Sequence, residues 1–245
     1  MTDTFDYIIV GAGSAGCVIA SRLSEDPSVS VCVLEAGPSD WHPYIHIPVG
    51  WMKLMTNPTL NWMYRTEPSE WTGGRAVPVP RGKTLGGSSS INGNIFNRGT
   101  PGDFDHWAQR GNSGWGYADV LPLFKRLEDW VGEDPDSRRG RYGPLRVTPS
   151  PWRHPLCEAF LDGCESLGIP RNPDYNGLRQ EGASYTQRSI DRGRRQSSAK
   201  AFLRPAMRRP NLEVRTRAQA TRILFEGKRA VGVRYARTLN HPERE

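Results

Sequence analysis

Three glycines near the start of the chain have the type and spacing needed to bind the pyrophosphate of a dinucleotide. Gly11, Gly13 and Gly16 complete a G-x-G-x-x-G motif. The first permits a tight turn, the second lets the backbone approach a pyrophosphate, and the third lets a helix pack closely on a strand. A helix that begins here directs free N–H groups and the positive end of its dipole at the phosphates. The motif alone is weak evidence, because a glycine-rich turn without a ligand has the same pattern.

The segments around the motif supply the elements that a dinucleotide-binding unit requires. Residues 5–10 form a short apolar run that predicts a buried parallel strand. Residues 14–24 carry apolar side chains at helical spacing, and residues 31–35 predict a second buried strand. Glu35 ends that strand, where a carboxylate accepts hydrogen bonds from both ribose hydroxyls and repels a 2′-phosphate. Together these features predict a nucleotide-binding βαβ unit, although they do not distinguish FAD from NAD.

A second cluster of small residues lies within positions 81–99. Gly86 and Gly87 allow close approach of the backbone, and Ser88 to Ser90 are good helix N-caps. The pattern predicts a glycine/serine turn that opens a helix and forms a second platform for an anion or a ring edge. A flexible linker is the alternative, and the ordered continuation into residues 91–93 argues against it.

Composition limits the class of protein. The 245 residues are enough for one large or two modest domains, and the 20 prolines and 26 glycines predict many loops. Lysine plus arginine outnumber the acidic residues by 33 to 26, which gives a formal charge of +7. The arginines are scattered and no recognised nucleic-acid module accompanies them, so we expect a solvated basic face and no nucleic-acid partner.

The cysteines and the N-terminus predict a cytoplasmic protein. The four cysteines contain no C-x-x-C pair and no metal-ligand spacing, and reduced thiols suit the cytoplasm. Cys17 and Cys32 fall within the predicted βαβ unit, where small apolar residues are expected. The fold is expected to begin by Phe5, which leaves no room for a secretory signal, and no apolar run is long enough for a transmembrane segment.

The rest of the chain alternates irregular segments with short elements. Residues 38–80 predict an irregular excursion, either a lid or interface arm, or a loop that packs its aromatic side chains on its own core. Helices are predicted at 103–110, capped by Asp103, and at 117–128, 156–167 and from 197 or 198. Strands are predicted at 144–147 and 212–215, with a hairpin of residues 220–225 and 230–235. The stretch at 193–203 is either a cationic surface helix or a structural segment, of which we favour the second, and we assign its arginines no catalytic role.

These motifs together resemble the glucose–methanol–choline (GMC) family of FAD-dependent oxidoreductases, nearest to its choline-dehydrogenase-like branch. The resemblance covers essentially the whole chain. Its most specific element is the family's first signature, which is matched at Gly82, Lys83, Leu85, Gly86, Gly87, Ser88, Ser89, Ile91, Asn92, Phe96, Gly99 and Asp105.

The resemblance implies an FAD site and a role for each matching segment. The G-x-G-x-x-G residues would hold the pyrophosphate, Glu35 the adenosine ribose, and a backbone group near Ala220 the adenine. Thr84 and residues 92–95 would lie along the flavin. Some relatives attach FAD covalently through a histidine at a position that corresponds to Ile91 here, so non-covalent FAD is expected. The implied cofactor-binding residues are Gly11, Gly13, Ser14, Ala15, Gly16, Glu35, Ala36, Thr84, Gly87, Ser88, Asn92, Gly93, Asn94, Ile95 and Ala220.

The implied fold class is α/β, a Rossmann-like three-layer FAD/NAD(P)-binding domain with part of an α+β substrate domain. The predicted boundaries are 1–143 for the FAD-binding domain, 144–203 for the partial substrate-domain insertion, and 204–245 for the return to the FAD-binding domain. The implied activity is that of a flavin-dependent alcohol dehydrogenase or oxidase (EC 1.1), which oxidises a small alcohol and passes electrons to an unidentified acceptor. Asn94 stands where members of the branch often have methionine, which leaves the substrate open.

The family's catalytic base is expected beyond Glu245, so no catalytic residue is assigned within the chain. An unpaired sheet edge that favours association is expected for the same reason. The alternatives are a non-catalytic FAD-binding fragment, one half of a split enzyme, and a nicotinamide-dependent dehydrogenase. The Gly86–Gly87 signature argues against the last of these.

Overall fold

The structure is a computed structural model that describes residues 3–237. The chain forms two compact units, of which the first comprises the residues up to Gly93 and those from Gly193 onward. The second unit is the intervening segment, Asn94–Arg192. Within residues 3–237, no helix combines the length and the apolar character needed to cross a bilayer.

The helices in chain order are α1 (Ser14–Leu23), α2 (Pro43–His46), α3 (Trp51–Leu54), α4 (Pro101–Gln109), α5 (Tyr117–Leu127), α6 (Pro155–Ser166) and α7 (Arg204–Ala206). The strands are β1 (Tyr7–Val10), β2 (Val31–Glu35), β3 (Tyr64–Arg65), β4 (Pro78–Val79), β5 (Glu128–Trp130), β6 (Leu145–Val147), β7 (Ile190–Asp191), β8 (Arg194–Arg195), β9 (Leu212–Thr216), β10 (Gln219–Glu226) and β11 (Arg229–Ala236). Single 3₁₀ turns occupy Pro48–Gly50, Glu70–Thr72 and Gly87–Ser90, and a π-helical turn occupies Ala199–Leu203.

The first unit is built on a parallel three-stranded sheet in the order β1-β2-β9. The central strand β2 is buried along its whole length. On one face, Gly16 of α1 packs against Ile9 of β1, while on the other Cys32 and Leu34 contact the antiparallel β10–β11 hairpin. Helix, sheet and hairpin therefore form three layers, and the predicted α/β class is confirmed.

The prediction that β1 is a buried strand is wrong. Tyr7 is 49% exposed and Val10 is 53% exposed, although β1 pairs in parallel with β2 as expected. The reason is that β1 is an edge of the sheet, with no strand on its outer side among the residues the structure describes. Strands β1 and β9 are the two edges of this sheet, and association at either edge stays a prediction.

The excursion at residues 38–80 consists of short pieces, as predicted, but its tryptophans do not form its core. Ile45, Leu54 and Leu60 pack together with Ile91, whereas Trp41 is 76% exposed and Trp71 is 90% exposed. The interpretation that the loop packs its aromatics on its own core is therefore wrong for these two side chains. Branched aliphatic residues provide the anchor instead.

The second unit begins and ends earlier than the predicted insertion, at 94–192 instead of 144–203. Two features join residues 94–143 to the rest of this unit. Strand β5 pairs in parallel with β6, and the fully buried Glu128 binds Arg98 and Arg139, the latter of which also binds Asp174. These contacts between distant parts of the chain are not visible in sequence periodicity.

Two predicted helix starts also differ in detail. Helix α4 is capped by Thr100 rather than Asp103, because the Thr100 hydroxyl accepts the Asp103 N–H while the Asp103 carboxylate accepts the Thr100 N–H. The helix expected from 197 or 198 is a π-helical turn followed by α7, which has Pro205 in its first turn. A proline is tolerated there because its missing N–H needs no helical partner.

Candidate functional site

Three loops of the first unit converge where β1 and β2 end. They are Gly11–Gly16, Glu35–Pro38 and Thr84–Ser88, and they are joined mainly by backbone hydrogen bonds. The N–H of Gly86 donates to the Ala12 carbonyl oxygen at 2.7 Å, and the Thr84 hydroxyl donates to the Pro38 carbonyl oxygen at 2.9 Å. The two glycine-rich segments that the sequence singled out are thus parts of one site.

The loop before α1 leaves an open space of the kind a pyrophosphate requires. A Cβ added at Gly13 would meet nothing within 4 Å, and Gly11 adopts a φ of +91° that favours glycine. The N-cap residue of α1 is Gly13, so no side chain at that position accepts the N–H groups of the first turn. The first turn also contains no acidic residue. Ser14 and Ala15 are exposed at this end. The N–H groups of the first turn are therefore presented to an anionic ligand.

Other glycines are required by close packing. A Cβ at Gly16 would overlap the carbonyl oxygen of Gly11, and a Cβ at Gly87 would lie 2.7 Å from the Cα of Gly13. Gly87 also has a φ of +53°. The second glycine segment therefore forms a wall directly against the first.

Glu35 has a structural role that the sequence analysis did not identify. Its side chain is buried, and its two carboxylate oxygens accept the N–H groups of Ala12 and Gly37, each at 2.8 Å. Burial raises the pKa of Glu35, while these hydrogen bonds and the charge of Lys83 oppose the rise. Each oxygen has a second lone pair, so the carboxylate that fixes the glycine loop retains capacity to accept a ribose hydroxyl.

The second glycine segment forms a single 3₁₀ turn, Gly87–Ser90, and the prediction that it opens a helix is wrong. The reason is that its serines bond locally instead of capping a helix. The Ser89 hydroxyl donates to the Gly86 carbonyl oxygen at 2.6 Å, and the Ser90 hydroxyl donates to the Leu85 carbonyl oxygen at 2.6 Å. Serine side chains that bond to nearby backbone groups favour turns over helices.

The remaining predicted cofactor residues are divided between the two units. Ala36 follows Glu35 directly, and Asn92 and Gly93 are exposed residues of the first unit. Ala220 lies in β10, two residues after Ala218, whose N–H donates to the backbone oxygen of Glu35 at 2.8 Å. Asn94 and Ile95 belong to the second unit.

Arg195 is a buried residue at this site to which the sequence analysis assigns no role in binding. Of the two interpretations of its segment, the surface interpretation is wrong for Arg195, because its side chain is 1% exposed, and the favoured interpretation as a structural segment agrees with this burial. Arg194, beside it, is exposed. No local pattern separates the two arginines, because only the folded chain determines which of them points inward.

The histidines that the structure describes have local roles. His42 and His154 accept backbone N–H groups at the starts of α2 and α6, and His46 hydrogen-bonds the Asp40 carbonyl oxygen at 2.7 Å. His106 is exposed on α4, and His241 lies outside the described residues. Three of the four described histidines therefore bond to nearby backbone groups, and the fourth is exposed.

The two buried cysteines, Cys17 and Cys32, pack as small apolar residues, as predicted. Burial raises the pKa of the Cys17 thiol to about 12 and that of Cys32 to about 11. Both are therefore protonated at neutral pH, and thiolate chemistry is not available to them.

Comparison with known proteins gives one family. The model of the GMC oxidoreductase N-terminal region matches residues 5–244. The oxygen-dependent choline dehydrogenase of Staphylococcus saprophyticus is 46% identical over 239 residues, which are 96% of this chain and 43% of that protein. The alcohol dehydrogenase [acceptor] of Pseudomonas putida is 45% identical over 98% of this chain and 43% of its own length.

A solved structure shows the same fold. Pyridoxine 4-oxidase from Mesorbium loti superposes with a TM-score of 0.92 at 35% identity, over 98% of this chain and 48% of that chain. The chain therefore spans less than half the length of each of these similar proteins.

Proposed function

The chain belongs to the GMC oxidoreductase family, and we propose that it forms the non-covalent FAD-binding portion of an enzyme that oxidises a small alcohol. The observation that carries the proposal is the open space at Gly13, which we call the cradle. Gly87 borders the cradle, and Glu35 is joined to it by the hydrogen bond from the Ala12 N–H. The predicted cofactor, FAD, is confirmed by the family. Its mode of attachment, the contacts of individual residues and the reaction are proposals.

The residues of the first unit have distinct proposed roles. The first turn of α1, with Gly11, Gly13, Ser14 and Ala15, holds the pyrophosphate, and Glu35 accepts the adenosine ribose hydroxyls. Thr84, Gly87 and Ser88 form the wall beside the cofactor. The proposed cofactor residues of the first unit are completed by Gly16, Ala36, Asn92, Gly93 and Ala220. Asn94 and Ile95, which belong to the second unit, stay predicted cofactor residues.

The proposed reaction is the oxidation of an alcohol to an aldehyde. Bound FAD would supply the redox chemistry as the acceptor of the hydride from the alcohol carbon, and the hydroxyl proton would pass to a general base, a role that is assigned to no residue of this chain. The chain's own contribution is to bind and orient the cofactor through the convergent glycine loops. The names of the relatives support choline or another small alcohol as substrate. Location in the cytoplasm and the identity of the electron acceptor stay predictions.

A second candidate function is FAD binding without independent catalysis, either as a fragment or as one half of a split enzyme. It is favoured by the described histidines, because three of them bond to nearby backbone groups and the fourth is exposed.

Cofactor titration tests the proposed function. We expect the purified chain to bind FAD, with quenching of flavin fluorescence and a visible flavin spectrum, and to bind NADP weakly. The physical reason is that Glu35 accepts ribose hydroxyls and repels a 2′-phosphate. Tight NADP binding without affinity for FAD would refute the proposal.

We predict that acid precipitation releases all of the flavin into the supernatant. Ile91 has no nucleophilic atom, and its side chain is packed in the aliphatic cluster with Ile45, Leu54 and Leu60. The measurement is the absorbance of the washed pellet and of the supernatant. Yellow colour that remains in the pellet would contradict non-covalent attachment.

We predict that the 245-residue polypeptide, supplied with FAD, oxidises alcohols at least ~10²-fold more slowly than a full-length relative. A positioned general base contributes ~10²–10⁴-fold to such rates, and no histidine of the described residues is assigned to that task. The assay uses choline and a panel of primary alcohols with an artificial electron acceptor. Comparable turnover would place a base within this chain, whereas rescue by a separately added C-terminal polypeptide of a relative would support a split enzyme.

A further inference from the structure

Arg195 is a buried cation that ties together distant parts of the first unit. Its Nε donates to the Ile45 carbonyl oxygen at 2.7 Å. Its Nη1 donates to the carbonyl oxygens of Ser89 at 3.2 Å and Asn92 at 2.7 Å, and to the Asn92 Oδ1 at 2.7 Å. One guanidinium therefore binds both ends of the segment Ser89–Asn92 and also the backbone of Ile45, which lies in the excursion at residues 38–80.

The charge of Arg195 is not neutralised within the described part of the chain. None of the ion pairs formed by residues 3–237 includes it, and its Nη2 is buried without a hydrogen-bond partner among those residues. The other fully buried arginine, Arg139, differs because it binds both Glu128 and Asp174. Burial accordingly lowers the pKa of Arg195 to about 10, and no carboxylate opposes the shift.

An unpaired buried cation is costly, and an apolar side chain would fill the same space at less cost. The interactions that Arg195 does make are concentrated on the segment that follows the Gly87 wall. A rigid planar fork with five N–H donors holds several carbonyl oxygens in one fixed arrangement, whereas a lysine has three rotatable donors at a single nitrogen.

We propose that Arg195 is a positioning residue, which holds the Ser89–Asn92 segment in the geometry that FAD binding requires. The inference rests on the proposed function, since it concerns the same cofactor. Arg195 acts through the carbonyl groups and the Asn92 side chain that it binds, and it needs no contact of its own with the cofactor. Residues that fix the groups lining a site are needed for precise binding geometry.

The test measures FAD affinity in Arg195→Met and Arg195→Lys, with Arg194→Met as the matched control. Arg194→Met removes one positive charge from the adjacent, exposed position. We expect Arg195→Met to raise the dissociation constant for FAD by about 10- to 100-fold, since four hydrogen bonds to a charged donor are lost. Arg195→Lys retains the charge and should show an intermediate loss, while Arg194→Met should stay within about twofold of the wild type.

A second readout separates positioning from general destabilisation. Circular dichroism and thermal unfolding give the folded fraction of each variant. The visible spectrum at saturating FAD reports the surroundings of the bound flavin. A positioning role predicts that folded Arg195→Met, or Arg195→Lys if the methionine variant does not fold, has an altered spectrum even at saturation. Wild-type affinity and spectrum in the folded variant, or a loss fully explained by unfolding, would overturn the inference. Absence of FAD binding by the wild type would instead overturn the proposed function and the inference with it.

Discussion

Replacing Gly13 with valine is expected to raise the dissociation constant for FAD by at least about 100-fold while the apo-protein remains folded. Gly13 has a φ of −75° and a ψ of −166°, an extended conformation that valine adopts without strain. Nothing lies within 4 Å of the position that a Cβ would take. The Cβ of the added side chain would therefore meet no protein atom, while the side chain would fill the space assigned to the pyrophosphate. A cost of about 3 kcal/mol, at the upper end of the range for ordinary overpacking, corresponds to about 100-fold in the dissociation constant.

The measurement is titration of flavin fluorescence against each purified variant, with circular dichroism as the check on folding. Gly163→Val is the matched control, because Gly163 of α6 is also in open space but lies in the second unit. It should bind FAD like the wild type.

Gly16→Val provides the opposite contrast, since its Cβ would overlap the Gly11 carbonyl oxygen, and we expect it to unfold the βαβ unit. Undiminished FAD binding by folded Gly13→Val would show that the cofactor does not occupy this cradle.

Removal of the Glu35 carboxylate is expected to weaken both FAD binding and the fold. Glu35→Ala leaves the buried N–H groups of Ala12 and Gly37 without their acceptors, which should lower the free energy of unfolding by about 2 kcal/mol. Loss of the proposed bonds to ribose should weaken FAD binding by about 1.5–3 kcal/mol, the scale of a hydrogen bond to a charged group. Chemical denaturation and FAD titration measure the two effects separately.

Glu213→Ala is the matched control, because it removes an exposed carboxylate from the neighbouring strand β9. We expect little change in either measurement. If Glu35→Ala lowered stability but bound FAD with wild-type affinity, the carboxylate would hold the glycine loop without touching the ribose.

The raised pKa of Glu35 also sets the sign of a pH effect. The folded chain keeps the proton at pH values where the unfolded carboxyl, with an ordinary pKa of 4.5, has released it. The folded state then binds more protons, so the stabilisation that comes from proton binding at Glu35 is complete below pH 4.5 and is lost as pH rises through its folded pKa, separately from the hydrogen bonds that its oxygens accept. Glu35→Gln does not titrate, and its curve of unfolding free energy against pH should lack this fall. Parallel curves for the two proteins would argue against a raised pKa.

Local chemistry in the sequence was sufficient to predict the βαβ unit and the β10–β11 hairpin, whereas the resemblance to the family implied that both glycine segments serve one cofactor. Turn glycines, helical periodicity and a strand-ending acid each act over a few residues, so their meaning survives without knowledge of distant contacts. The same locality explains the errors at β1 and at Ser88 to Ser90. Burial of a strand depends on its neighbours in the sheet, and a serine can bond within a turn as readily as it caps a helix.

Only the tertiary structure decided which residues support the site. Glu35 bonds to Ala12 from 23 positions away, and Arg195 reaches Asn92 from 103 positions away. The sequence determined that a dinucleotide cradle is present, because its glycines and its helix start are local features. The folded chain determined that one buried carboxylate bonds to the glycine loop and that one buried guanidinium bonds to the Ser89–Asn92 segment, because burial and long-range hydrogen bonds exist only once the distant segments have packed together.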